Sequence, residues 1–137
     1  MNNNCNHINR DCSELEEQRR IIGKKFLDAF KNGEHKIILA DKNFVNSVNK
    51  KYLSQVIINL CQEKKYDIAI LLSKATNYVT LNMFPIKCVY HMIEHEDSEL
   101  LKAFVKRFRE IFRRTNYKNV SSLLCKFHGL EIVKFIL

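Results

Sequence analysis

Apolar residues recur along this chain at helical rather than strand spacing. Ile21, Ile22, Phe26, Leu27 and Phe30 fall close to four apart, and the pattern stops at Gly33, a residue suited to the left-handed turn that ends a helix. Shorter stretches of the same kind predict helices over 52–62, 67–74, 86–95 and 120–137. A further stretch, 98–114, gathers Leu100, Leu101, Phe104, Val105, Phe108, Ile111 and Phe112 on one face with most of its basic residues elsewhere, so it is strongly amphipathic. Ser13 with Glu16 three places on matches a capping box, which predicts that order begins at Ser13. Residues 1–12, polar and rich in asparagine, are then a flexible tail, and 13–137 a single domain.

The helical pattern repeats. Segments starting at Ala29, Leu60, Met92 and Leu124 line up at intervals of 31, 32 and 32 residues. Each holds two small or apolar residues, a polar stretch, and an apolar pair introduced by a charged residue. That order predicts a helix end, a tight turn and a new helix start. The charged residue is acidic in three segments, Asp67, Glu99 and Glu131, where it suits the positive end of the second helix, while the first segment carries Lys36. The predicted fold is all-α, about four stacked helix-turn-helix units; an irregular helical bundle satisfies much of the same pattern.

Composition supports helices. Three glycines and one proline are too few to turn a sandwich or barrel. Hydrophobic residues at 46% allow a core, and no apolar run reaches the roughly 20 residues that span a bilayer. The start, MNNNCNHINRDC, has neither the basic residues nor the apolar stretch of a signal peptide. Five cysteines without paired close spacing read as reduced thiols, so a cytoplasmic or nuclear location is expected. Sixteen lysines, fourteen asparagines and fourteen isoleucines, with glycine and proline scarce, match translation of coding DNA rich in A and T.

With Ala29 to Gly33, Ile37-Ile38, and the run His128-Gly-Leu-Glu-Ile-Val-Lys-Phe-Ile-Leu137 in view, the chain resembles the ankyrin-repeat family over residues 24–137. The family's motif pairs Ala-Ala with Gly-His and an apolar-Glu-Ile-Val run. This chain lacks a Thr-Pro-Leu-His before any first helix and keeps the turn glycine only at Gly33, with Gly129 one place displaced. Its inter-repeat segments also lack the Gly and Asp of the family's β-hairpin fingers. The resemblance implies an interaction module that grips a protein partner by surface contacts, without cofactor or turnover. Diverged members of large DNA viruses and AT-rich parasites often intercept host signalling, which makes host–virus interaction inside a host cell the corresponding expectation.

The residues with chemical potential do not assemble an enzyme signature. Cys5, His7 and Cys12 supply three zinc ligands where a closed structural site needs four. His91 and His95 share a helix face, but Met92 stands where a metalloprotease pattern has glutamate. Cys61 and Cys125 occupy the same repeat position and read as small buried hydrophobes. Glu94, Glu96, Asp97 and Glu99 form a contiguous acidic turn, and no glycine-rich phosphate loop is present. No catalytic, cofactor or metal residue is therefore assigned.

Two surfaces remain as candidates. The basic set Lys102, Lys106, Arg107, Arg109, Arg113 and Arg114 reads as a solvated helix face, as a docking face for an acidic protein surface or, alternatively, as a contact for nucleic-acid phosphates, in keeping with a net charge of +8. The second is the C-terminal run, in which Ile132, Phe135, Ile136 and Leu137 lack a polar capping repeat and await a partner or a second copy of the chain. A basic nucleic-acid-binding or virion-associated protein and a homodimeric structural protein sealed through 120–137 are the rival readings.

Overall fold

The computed structural model describes residues 2–112 and 118–135, with side chains from residue 13 onward except that of Lys118. All regular structure among them is helical: α1 (Asn2–Lys31), α2 (His35–Ala40), α3 (Lys42–Ser47), α4 (Lys50–Gln62), α5 (Tyr66–Ala75), a 3-10 turn (Leu81–Met83), α6 (Ile86–His95), α7 (Ser98–Arg107), α8 (Arg109–Phe112), α9 (Lys118–His128) and α10 (Leu130–Val133). No helix among the described residues is long and apolar enough to cross a membrane.

Each of the four aligned segments contains a helix end, a turn and a helix start. At the end of α1, the Glu34 N–H donates to the Ala29 carbonyl at 2.8 Å and the Gly33 N–H to Phe30 at 3.4 Å, with Gly33 at φ 77°. The end of α4 repeats this bond for bond: Lys65 donates to Leu60 at 2.8 Å and Lys64 to Cys61 at 3.1 Å. These are paired 6→1 and 5→2 bonds around one left-handed residue, which satisfy carbonyls a helix end leaves open. Helix α6 ends differently. Glu96 is extended and donates to Met92 at 2.9 Å, and the Asp97 carboxylate accepts from the Leu100 N–H at 2.9 Å to cap α7. At α9 the turn is shorter, with Gly129 at φ 84°.

Packing follows these pairs. Within them α1 meets α2, α4 meets α5 and α9 meets α10; the second helices touch in chain order, α2 to α5 to α7 to α10. First helices pack as α1 on α4 and α6 on α9. One contiguous core results. It contains Phe26, Ile57 and Val89 from the first helices, each three residues before an aligned segment, together with Ala69 and Leu101 from the second.

Four expectations change. The helix that was to begin at Ser13 is continuous from Asn2, so Ser13 lies inside α1 and is not its cap. The stretch 98–114 is not one helix: it turns at Phe108, whose ring packs edge-on against Phe84 at 5.5 Å and Phe104 at 5.3 Å. The buried Phe104, Phe108 and Phe112 nevertheless form the apolar stripe their spacing predicts. The pattern over 120–137 breaks at Gly129, and α10 ends at Val133. Between units, α3 and the 3-10 turn occupy segments for which no helix was predicted; Asp41 caps α3 by accepting from the Phe44 N–H at 3.1 Å.

Helix α1 meets α4 at an unusually close approach. Gly23 is buried beneath the Tyr52 ring, and a Cβ at that position would overlap the ring atoms. A glycine inside a helix costs backbone entropy, and here it is the only residue that lets the ring lie against the α1 backbone.

Candidate interaction surfaces

The basic set divides when placed in the fold. Arg107, at the end of α7, reaches across to the C-terminal end of α5: its guanidinium donates to the carbonyls of Ser73 at 2.5 Å, Thr76 at 3.3 Å and Val79 at 3.1 Å. It also lies 4.8 Å from the Phe108 ring centre. The fork of fixed donors satisfies carbonyls that α5 and the following turn leave open, at the negative end of that helix. Arg107 is thus a tie inside the molecule rather than part of a docking face.

Lys102 is half-buried, paired with Glu99 at 3.3 Å, and lies 5.9 Å from the Phe135 ring centre. Lys106 and Arg109 are exposed. Arg113 and Arg114 lie outside the described residues. Among the described residues of the set, Lys106 and Arg109 are thus the exposed ones, with Lys102 half-buried and Arg107 turned to α5.

The C-terminal candidates divide in the same way. Ile132 is 1% exposed and belongs to the core, whereas Phe135 is 36% exposed beneath Lys102. Ile136 and Leu137 lie outside the described residues. Phe127 also faces outward here and, most of all, Leu130 at 73% exposure. Periodicity concealed Leu130, because the left-handed Gly129 resets the helix phase just before it.

At the other end, α1, α2 and α3 enclose a groove of about 660 Å³ that the sequence reading did not single out. Ile21 and Ile37 are exposed on it, Ile37 at 74%, and Phe44 and Ile38 contribute further apolar surface. Asp28, Glu34 and Asp41 line the same groove, with Arg20, Lys24 and Lys25. Arg20 is held by Glu17 at 2.5 Å, and the Lys25 ammonium lies 5.4 Å from the Phe44 ring centre.

The polar side chains within the stack join neighbouring units. His128 Nε2 donates to the Ile93 carbonyl at 2.6 Å, which leaves its Nδ1 to accept from the Ser98 hydroxyl at 3.0 Å. The Tyr66 hydroxyl pairs with His91 Nδ1 at 3.1 Å, and the His91 and His95 rings lie 4.3 Å apart. Burial pushes the Tyr66 phenol up to about 12, so the hydroxyl stays protonated near neutral pH. Burial, with Cys88 next to it, likewise pushes the Cys61 thiol to about 12. Cys61 therefore lies beside Cys88 of α6, and a buried neutral thiol is a poor nucleophile.

Among the described residues no three His, Cys, Asp or Glu side chains gather in a metal-binding arrangement. The side chains of Cys5, His7 and Cys12 lie outside the described residues. No family model matches the chain, and no curated protein or solved structure matches it either.

Proposed function

We propose that the chain is a protein–protein interaction module, an ankyrin-like array of four helix-turn-helix units that binds a host or cellular protein through its surface, with no catalysis and no cofactor. One observation carries the reading. The turn of the first unit recurs in the second with the same bond pattern, Ala29 and Leu60 accepting across it at 2.8 Å. The second helices α2, α5, α7 and α10 also touch in chain order, as in arrays where each unit shelters the next. In the segments between units a short helix and a 3-10 turn stand where the family has hairpin fingers. Action within a host cell, as an inhibitor of signalling, rests on the family resemblance alone.

Affinity capture from cell extract, read by mass spectrometry, tests this. The expected result is a protein retained at elevated salt by the native chain. Retention of bulk nucleic acid that falls steeply with added salt would instead support the rival reading from the +8 charge.

A further inference from the structure

We infer that the two ends of the helical stack are complementary, and that one copy of the chain seats its α9–α10 end in the α1–α3 groove of another. Both ends are defined by the repeat register, so the contact rests on the stacked-unit reading of the fold but not on which foreign partner the module takes.

The register identifies which side of each second helix faces which neighbour. Positions 35, 66, 98 and 130 are equivalent. Tyr66 of this row bonds forward to His91, and Ser98 bonds forward to His128, each in the following unit. Leu130, the last of the row, is left facing outward. Positions 37, 68, 100 and 132 form a second row, two residues further on and so roughly 200° around the helix, facing back. Burial grows along it: Ile37 is exposed, Ile68 and Leu100 are half-buried, and Ile132 is buried where α10 packs on α7 and α9.

Ile37 and Leu130 are the two most exposed large hydrophobic residues among those described. Each is the terminal member of a row whose other members are covered, one row looking back and the other forward. A partner that continued the stacking would cover both. The α9–α10 surface of a second copy offers apolar Leu130 and Phe127 with the exposed Lys126 and Lys134 close by in sequence. It is to be set against apolar Ile21 and Ile37 in a groove lined by Asp28, Glu34 and Asp41 and also by Arg20, Lys24 and Lys25, of which Arg20 is already held by Glu17 and Lys25 lies over Phe44. Glu131 on one face and Lys24 on the other provide a further opposite pair.

Such a contact joins two different surfaces, so it does not close on itself and extends into chains unless the geometry forms a ring. Light scattering across a concentration series of the whole chain is expected to show a mass that climbs from 16.2 kDa without stopping at a dimer. Ile37→Glu and Leu130→Glu, both at exposed positions, should each stay monomeric with an unchanged far-UV spectrum. Mixed together, they retain one intact face apiece and should form a one-to-one dimer. A wild-type chain that stays at 16.2 kDa throughout, a variant that still associates alone, or a mixture that stays monomeric overturns the inference. None of those results affects capture of a foreign protein, so the two readings fail separately.

Discussion

Lys64 holds at the end of α4 the left-handed turn position that Gly33 holds at the end of α1, with φ of 61° and 77°. The two turns share their hydrogen bonds, yet only one uses the residue that adopts this conformation without strain. An L side chain in the left-handed region costs roughly 1–2 kcal/mol. Lys64→Gly should therefore stabilise the protein by about 1 kcal/mol after the added unfolded-state entropy of glycine is subtracted. Gly33→Ala should destabilise it by a similar amount. Urea midpoints at unchanged slope check both.

The contact between Gly23 and Tyr52 predicts a change of sign. In the native background Gly23→Ala forces the ring away from α1 and should cost about 1–3 kcal/mol. With Tyr52→Ser already in place, the same substitution should be neutral or favourable by up to about 1 kcal/mol, because alanine is the better helix former. Thermal melts of the four proteins of this cycle measure the coupling.

Arg107 and Lys106 are neighbours in sequence with opposite expected consequences. Arg107→Met strips the carbonyls of Ser73, Thr76 and Val79 of a charged donor and should cost about 2–3 kcal/mol. Arg107→Lys should recover only part of this, since an ammonium cannot fork across three acceptors. Lys106→Glu, at an exposed position, should stay within about 0.5 kcal/mol of the native protein. Denaturant unfolding of the three variants separates the tie from the surface charge.

The buried thiol and phenol predict loss of stability at high pH. Cys61 ionises near 9.0 when exposed and near 12 in the fold; Tyr66 moves from 10.0 to about 12. Between those values the unfolded chain releases protons that the folded chain retains, so stability is complete below about pH 9 and declines as pH rises toward 12. Native-state alkylation followed by peptide mapping should leave Cys61 unmodified near neutral pH and label it on unfolding. Prompt labelling of Cys61 in the native state would contradict its burial.

How much of this was legible beforehand differs residue by residue. The turns after Ala29, Leu60, Met92 and Leu124 could be located because they depend on local spacing: two apolar residues close a helix, polar residues turn, and an apolar pair opens the next. The stripe of Phe104, Phe108 and Phe112 followed from periodicity, but the break at Phe108 did not, because it accompanies packing against Phe84, far back in the chain. Helix α3 escaped notice because six residues hold too few turns to display a period. Leu130 escaped because a single left-handed residue re-aimed it.

The sequence by itself determined the helical class and the places of the turns near Gly33, Lys64, Asp97 and Gly129, since each is written in the order of apolar and polar residues within a few turns of helix. Only the tertiary structure decided what individual charges and apolar groups do. Arg107 looked like one of six surface cations until α5, whose Ser73 carbonyl lies 34 residues earlier, came within 2.5 Å of it. Ile37 and Ile132 hold equivalent places in the sequence pattern, yet Ile37 is exposed whereas Ile132 is buried where α10 packs on α7 and α9, a difference that the local order of residues does not contain.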